Sequence, residues 1–326
     1  MAVYFLNLKT FGRSDGSSAP GAAAYRAGER IRDERSGRTY DHSDRQDVMY
    51  KEIVLPSRFA DADMEWARDR AGLWNAAEFA EARKNARVAR EYLVALPVEL
   101  TPDQRLGLVR GFSQELADRY RFAVDLAIHA PRDYPGSDQR NFHAHLLATT
   151  REISHEGLAV KTALELSDSK RRQQGLEPVI HELLYVRQRW ATVTNEALKA
   201  AHVAARIDHR TLEAQGVDRE PLPHIPRAAF EMERHGYRSA VAERLREEYQ
   251  ARVRARLERA VTQRPADRAE RTPDRAMRPA DEPGRSQSLE EIRRQARESW
   301  LRLREEGRES SSLGGKDRTR DDDLAR

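Results

Sequence analysis

Two short stretches joined by a loop constrain this chain more than any other feature of its sequence. Residues 121–129 (RFAVDLAIH) and 142–149 (FHAHLLAT) both alternate between two kinds of side chain. A period of two is that of a β-strand, whose successive side chains point to opposite faces. The segment between them, APRDYPGSDQR, is rich in Pro, Gly and Asp, which predicts a hairpin loop. We therefore expect two antiparallel strands here.

Three histidines fall on one face of this predicted hairpin. His143 and His145 are two residues apart, so their Cα atoms lie about 6–7 Å apart on one side of a strand. Antiparallel pairing places His129, at the end of the first strand, opposite them. One histidine on a half-solvated strand is usually an ordinary polar residue, whereas three together favour a metal site. Three neutral imidazoles leave coordination positions open, which suits a catalytic ion better than a structural one.

Composition excludes several classes of protein. The 326 residues include no cysteine, which excludes disulfides, cysteine-based zinc sites and iron–sulfur clusters and fits a reducing cytoplasm. We expect no signal peptide, and no apolar run reaches the ~20 residues that cross a bilayer. The formal net charge is +4 and the pI is near 9.3, which is weak evidence for a polyanionic partner.

Sequence patterns along the rest of residues 1–237 predict alternating strands and helices. Thr101 caps one helix, with Pro102 at its first position and Gln104 three residues on. We find no internal repeat and no glycine-rich nucleotide-binding loop. The other predicted elements are strands over 2–9 and 88–96, helices over 20–33, 61–87 and 179–205, a hairpin-like extended region over 38–55 and a polar connector over 161–178.

Beyond residue 237 the sequence loses most of its apolar positions. Charged helices are predicted over 243–257 and 289–308, around a segment over 263–287 that is rich in Pro, Arg, Asp and Ser. Such a composition cannot fill a core, so we expect a partly helical or disordered tail. The predicted fold is α+β: a central, mainly antiparallel sheet flanked by helices over 1–237, followed by a charged tail over 238–326.

Four segments together resemble a known family. AVYFLNLKT…GAAAYRAGE, EYLVALPVEL, AIH…NFHAH and RIDHRTLEAQG are similar to the MobA/MobL group of plasmid mobilisation relaxases. These belong to the HUH class of single-strand endonucleases, named for two histidines around a hydrophobic residue, here His143-Ala144-His145. The resemblance covers roughly residues 1–237. One departure is Phe142, where many relatives have proline, and we expect it to alter the loop rather than the ligands.

The resemblance implies a role for several residues. Tyr25 matches the nucleophilic tyrosine, and Glu91 matches an acidic catalytic residue near the site, although Glu81 and Asp125 are alternatives. From its small neighbours alone, Tyr25 is either a packed ring or a phenol that a bulky substrate can reach. The three metal ligands implied are His129, His143 and His145.

Basic residues near these segments are candidates for contacts with a DNA backbone, which give affinity without sequence information. The candidates are Arg26, Arg206, His209 and Arg210. For any one of them, solvated surface charge is the competing interpretation.

The implied reaction is a transesterification on one DNA strand. Tyr25 attacks a phosphate at an origin of transfer (oriT), giving a 5′-phosphotyrosyl link and a free 3′-hydroxyl that later rejoin during conjugative mobilisation. The implied cofactor is a divalent ion, Mn²⁺ or Mg²⁺, and imidazole ligands favour Mn²⁺. The implied partners are single-stranded oriT DNA, accessory mobilisation proteins and a type IV secretion coupling protein. The implied location is the bacterial cytoplasm, with transfer to the recipient cell.

Three alternatives stay open from the sequence. A rolling-circle replication initiator or single-tyrosine transposase has the same chemistry. A non-catalytic DNA-binding accessory protein would use the histidines for a structural ion and would not need Tyr25. A metal-dependent nuclease would use water and leave free 5′-phosphate ends.

Overall fold

The computed structural model describes residues 2–132 and 137–269. The chain divides into two compact units, Met1–His224 and Ile225–Arg326. The predicted functional boundary at residue 237 stays a prediction. The predicted helix over 289–308 and the rest of the tail beyond residue 269 lie outside the described residues.

Nine strands lie in the described part of the first unit. They are β1 (Leu6–Gly12), β2 (Arg30–Arg32), β3 (Thr39–Asp41), β4 (Val48–Val54), β5 (Arg87–Ala95), β6 (Val124–His129), β7 (His143–Thr149), β8 (Arg151–Ser154) and β9 (Gly157–Lys161). Five of them form the central sheet in the order β1-β5-β7-β6-β4, and every neighbouring pair is antiparallel. The predicted α+β class with an antiparallel sheet is confirmed.

Helices flank this sheet. In the described residues they are α1 (Ala19–Ala27), α2 (Glu65–Arg68), α3 (Arg70–Phe79), α4 (Pro102–Tyr120), α5 (Asp168–Gln173) and α6 (Val179–Ala200) in the first unit, and α7 (Arg227–Arg234) and α8 (Ala240–Ala269) in the second. The predicted capping box at Thr101 and Gln104 is confirmed at the start of α4. No helix among the described residues is long and apolar enough to cross a membrane.

The alternation of side chains along β6 and β7 assigns each face of the sheet to different helices. On one face, Leu126 and Leu146 pack with Phe112 of α4 and Trp190 of α6. On the other face, Leu147 packs in a second cluster with residues of α1 and α3. The histidines share the parity of Leu147, so they lie on the face that α1 covers.

The register of β6 and β7 brings the histidines together. His129 is paired with His143, and His145 lies two residues further along β7, opposite Ala127. On its other side β7 pairs with β5, where Leu93 is opposite His145. The predicted convergence of three histidines at one end of the hairpin is therefore confirmed.

Several predicted elements were wrong in extent. The helix predicted over 20–33 ends at Ala27, because Gly28 takes a left-handed conformation with φ 60°. The next residues form β2, which pairs with β3, so the hairpin predicted within 38–55 is instead two separate pairings. The helix predicted over 61–87 is broken at Asp69, whose side chain caps α3 by accepting from the Gly72 amide. The polar connector over 161–178 contains α5.

A buried ion pair holds α3 against β6. The Arg70 Nε donates to both carboxylate oxygens of Asp125, at 3.1 and 2.9 Å, and Trp74 Nε1 donates to the same group at 2.9 Å. Burial raises the pKa of Asp125 above its usual value, against the lowering effect of Arg70. A buried carboxylate depends on its partners, since it would otherwise lie uncompensated in the core.

We predict that Arg70→Met lowers the free energy of unfolding by about 3–5 kcal/mol, because it leaves the buried Asp125 without its charged partner. Urea denaturation followed by circular dichroism measures the change. Arg110→Met is the matched control, since Arg110 pairs with Glu52 at the surface with 58% of its side chain exposed, and its loss should be below about 1 kcal/mol. Equal losses for the two variants would contradict this account.

Candidate metal centre and active site

Three imidazoles form a compact cluster at the end of the β6–β7 hairpin. One potential ligand atom from each of His129, His143 and His145 lies within 4.8 Å of the others. The ring centroids are 4.6 to 5.3 Å apart. His129 is fully buried and His145 is 9% exposed, while His143 is partly exposed. The open side of the cluster is therefore at His143.

Hydrogen bonds to the ring nitrogens determine which lone pairs are free. His143 Nδ1 lies 2.9 Å from the Asn141 carbonyl oxygen, and His145 Nδ1 lies 2.6 Å from Glu91 Oε1. Both partners only accept, so each Nδ1 carries the proton and each Nε2 keeps its lone pair. In metal sites, a hydrogen bond from the ring nitrogen that does not bind the metal fixes the orientation of the histidine.

His129 has the opposite arrangement. Its Nε2 lies 2.7 Å from the carbonyl oxygen of Arg26 and therefore donates, which leaves Nδ1 with the lone pair. Nη2 of Arg45 donates to this Nδ1 at 3.2 Å. A guanidinium can only donate, so the two contacts assign the same tautomer.

Burial keeps all three histidines neutral. It lowers the pKa of His129 to about 3, with His145 and Arg45 adding to the effect. Burial also lowers the pKa of His143 and of His145. Neutral imidazoles with oriented lone pairs are the form that binds a divalent transition ion. The donor set therefore fits a metal ion with positions left open.

Glu91 is a buried carboxylate that accepts a hydrogen bond from one of the three histidines. Its Oε1 accepts from His145 and also from Arg26 Nε at 2.5 Å. Burial alone would raise the pKa of Glu91, but these two hydrogen bonds outweigh it and lower the pKa to about 2. A carboxylate held this firmly ionised is a weak proton acceptor and a good orienting group for His145. Of the alternative acids, Asp125 is bound to Arg70 and Glu81 to Arg151.

Arg26 is buried rather than displayed at the surface. It is 8% exposed, and besides Glu91 its Nη1 donates to the Ala22 carbonyl at 2.8 Å. In the structure, Arg26 holds Glu91 in place through these contacts. Its predicted contact with a DNA backbone stays a prediction.

Tyr25 is carried to the site by α1. Ser18 caps the helix by accepting from the Gly21 amide. The three alanines that precede Tyr25, Ala22, Ala23 and Ala24, are buried, so the helix lies close to its neighbours. Tyr25 itself is half-buried. Its ring meets His42 edge to face, with centroids 5.2 Å apart. The phenol is therefore held at the surface of the site and not packed inside the core.

Two arginines that the sequence analysis did not single out contact Tyr25. Nη2 of Arg132 donates to the phenol oxygen at 3.2 Å. The guanidinium of Arg45 lies 4.2 Å from the Tyr25 ring centroid, and its Nη1 donates to the Tyr25 carbonyl at 2.7 Å. Since Arg45 also donates to His129, this single side chain spans the tyrosine and the histidine cluster.

Asp47 joins these two arginines. Its carboxylate accepts from Arg45 at 2.5 Å and from Arg132 at 2.9 Å. Despite partial burial, which acts the other way, the two guanidinium groups hold the pKa of Asp47 well below its usual range. Asp47 precedes β4, whose Val48 pairs with His129, and that pairing places Asp47 beside the histidine cluster. No sequence pattern indicated that Asp47 lies at this site, because the strand that pairs with β4 could not be inferred.

The loop that follows α6 stands apart from these contacts. Arg206 donates to nearby carbonyl groups, and Arg210 pairs with Asp208 at 2.7 Å. His209 lies 3.8 Å from the same Asp208. In the described residues none of the three contacts Tyr25 or the histidines. Their predicted role in binding DNA stays a prediction.

We predict that Glu91→Gln weakens Mn²⁺ binding by about 10- to 100-fold, because His145 loses its charged orienting partner. Isothermal titration calorimetry on the whole chain measures this. Glu81→Gln is the matched control: Glu81 is a buried carboxylate that binds Arg151 and Lys161, and its substitution should leave Mn²⁺ affinity unchanged. Equal weakening by both would mean that the effect is general destabilisation.

We also predict that Arg45→Met strengthens Mn²⁺ binding by roughly tenfold, since the ion no longer competes with a hydrogen bond and a positive charge at His129 Nδ1. The same calorimetric titration applies. Arg140→Met, which removes a surface arginine paired with Asp138, should have no effect. Weaker binding by Arg45→Met would show instead that Arg45 holds His129 in position.

Comparisons with known proteins agree with the sequence resemblance. The mobilization protein MobL of Acidithiobacillus ferridurans is 35% identical over 296 residues, 85% of this chain and 75% of that protein. A 43 kDa relaxation protein of Salmonella typhimurium is 34% identical over 233 residues, 68% of this chain and 57% of that protein. The chain thus spans three quarters or less of each of these relatives.

A solved structure also matches. A chain described under the molecular basis of vancomycin resistance transfer in Staphylococcus aureus is 28% identical with a TM-score of 0.51, over 64% of this chain and 100% of that chain. The family model described as the MobA/MobL family matches residues 17–235, about two thirds of the sequence. This chain belongs to the MobA/MobL family.

Proposed function

We propose that this chain is a relaxase that nicks one DNA strand through Tyr25 and later rejoins it. The observation that carries the proposal is the bridge by Arg45, which contacts both the Tyr25 ring and His129 Nδ1. The tyrosine and the histidine cluster are therefore both in contact with one guanidinium group. Membership of the family and the names of its mobilization and relaxation relatives support the same activity.

In the proposed reaction, the Tyr25 oxygen attacks the phosphorus of a scissile phosphate. A bond forms between that oxygen and phosphorus, and the bond to the 3′ oxygen of the preceding nucleotide breaks, which leaves a 5′-phosphotyrosyl link and a 3′-hydroxyl. The phenol proton passes to solvent or to a nearby base, and the leaving 3′ oxygen takes up a proton. Because one phosphodiester replaces another, rejoining needs no nucleotide triphosphate.

Arg132 makes a contact that would stabilise a phenolate at Tyr25. Its guanidinium donates to the Tyr25 oxygen and is itself held by Asp47. A positioned positive donor stabilises negative charge on that oxygen, both when it attacks and when it leaves during rejoining. His129, His143 and His145 would hold a divalent ion, Mn²⁺ or Mg²⁺, that neutralises charge on the phosphate oxygens.

Glu91 fits a positioning role better than the role of general base. It makes its contacts with His145 and Arg26, and its low pKa makes it a poor acceptor of the phenol proton. We therefore assign Glu91 to orienting His145. The proposed substrate is single-stranded oriT DNA, and the proposed partners are accessory mobilisation proteins and a type IV secretion coupling protein. The proposed location is the bacterial cytoplasm, before the protein is transferred with the DNA to the recipient cell.

We predict that the wild-type chain with Mn²⁺ forms a covalent adduct with members of a single-stranded oligonucleotide library, and that Tyr25→Phe forms none. A denaturing gel of labelled DNA detects the adduct by its shift. Tyr40→Phe is the matched control, since Tyr40 is also half-buried and packs beside α1, and it should form the adduct as wild type does. Cleavage by Tyr25→Phe with free ends would contradict the proposal and identify a water-using nuclease, whereas DNA binding without any adduct would identify an accessory protein.

We predict that Arg132→Gln slows adduct formation by about 10²-fold, because the phenolate loses a charged donor. Single-turnover rates at saturating DNA measure this step apart from binding. Arg140→Gln, on the same loop but bound to Asp138, should keep the wild-type rate. An unchanged rate for Arg132→Gln would contradict its assignment to the phenol.

A further inference from the structure

A cleft in the first unit, apart from the tyrosine site, carries a surplus of positive charge. Its volume is about 660 Å³, and it lies between the segment that precedes β5, the β8–β9 hairpin and the start of α5. Five of the side chains that line it are cations, and two are acids, Glu81 and Glu165. The cations are Arg83, Arg87, Arg151, Lys161 and Lys170. The lining therefore has a formal surplus of three positive charges.

The two acids are not available to a ligand. Glu81 lies beneath the surface, with its side chain 5% exposed, and binds both Arg151 at 2.8 Å and Lys161 at 3.0 Å. Glu165 is 2% exposed and binds the buried Arg90 at 2.6 Å and Arg87 of the cleft at 3.6 Å. Each carboxylate is thus shared between cations and covered by them, so the accessible surface of the cleft is positive.

Two of the cations have no such partner. Arg83 and Lys170 are exposed, and neither is paired with a carboxylate of the described residues. Unpaired arginine and lysine side chains around an open polar cleft are suited to phosphate groups, since each can donate to phosphate oxygens without breaking an existing ion pair.

The cleft is separate from the tyrosine site but lies on the same sheet. Arg87 begins β5, and Leu93, six residues further along this strand, pairs with His145. At ~3.3 Å per residue this places the cleft about 20 Å from the histidine cluster along the strand. A strand stacked as in a duplex advances ~3.4 Å per nucleotide and a single strand can extend further, so at most about six nucleotides span that distance.

We propose that this cleft is a second DNA contact, where Arg83 and Lys170 bind backbone phosphates no more than about six nucleotides from the scissile phosphate. The inference rests on the proposed function, because it takes the occupant to be the DNA strand held at Tyr25. Phosphate contacts of this kind give affinity and register without reading bases. They would fix how far the strand extends across the sheet from the nicking site.

The test is the salt dependence of binding to single-stranded DNA. Fluorescence anisotropy with a labelled mixed-sequence oligonucleotide of about 30 nucleotides gives the dissociation constant of the whole chain over a series of NaCl concentrations. Each lost phosphate contact lowers the slope of log K against log salt by about 0.7. We expect that loss for Arg83→Gln and for Lys170→Gln, together with weaker binding at low salt.

A matched control removes charge elsewhere on the same unit. Lys199, in the last turn of α6, is exposed and has no carboxylate partner in the described residues, and Lys199→Gln should keep the wild-type slope. Wild-type slopes for Arg83→Gln and Lys170→Gln on the long oligonucleotide would overturn the proposal.

This outcome is distinguishable from failure of the proposed function. Binding is measured without cleavage, so the reduced slopes are expected equally in a Tyr25→Phe background. Adduct formation by wild type, together with unchanged slopes for the cleft variants, would refute only the proposal that the cleft binds DNA. Reduced slopes without any adduct would support the cleft as a DNA contact and refute the proposed reaction of Tyr25.

Discussion

The antiparallel pairing of β6 with β7 is the constraint on which the rest of the site depends. It sets His129 opposite His143 and places His145 two residues further along the same face. A slip of one residue would turn the β7 histidines to the face filled by α4 and α6, because side chains alternate along a strand. That face is filled by large apolar residues such as Leu146 and Trp190. The same packing that forms the core therefore specifies the register that brings the three histidines together.

The contacts around the histidines link them to the proposed nucleophile. His129 Nε2 donates to the carbonyl of Arg26, the residue after Tyr25, so the helix that carries the phenol is hydrogen-bonded directly to one of the three histidines. Arg45 makes a second connection through His129 Nδ1 and the tyrosine ring. Binding of an ion at His129 would have to release Arg45, and the guanidinium would remain attached to Asp47 beside Tyr25. An ion in the histidine cluster would thus change the surroundings of the phenol through this one side chain.

Local patterns predicted the parts of the structure that local chemistry determines. The alternation in β6 and β7 and the capping box at Thr101 are properties of adjacent residues, and both were predicted correctly. The end of α1 was missed because a helical pattern continues through Gly28, whose left-handed conformation ends the helix, and the break at Asp69 was missed in the same way. The contacts of Arg132 with Asp47 and of Arg45 with His129 could not be predicted, since they depend on β4 pairing with β6, a strand far away in the sequence. The role of Glu91 was assigned from resemblance, and only its contacts with His145 and Arg26 indicate that it orients His145.

The central claim is that one particular phenol becomes joined to DNA, and peptide mapping tests it most directly. The adduct of the wild-type chain would be treated with nuclease and trypsin, and the peptide that retains a nucleotide would be identified by tandem mass spectrometry. The account predicts a nucleotide linked through its 5′ phosphate to Tyr25 and to no other residue. A nucleotide on another side chain, or a free 5′ phosphate with every peptide unmodified, would contradict it.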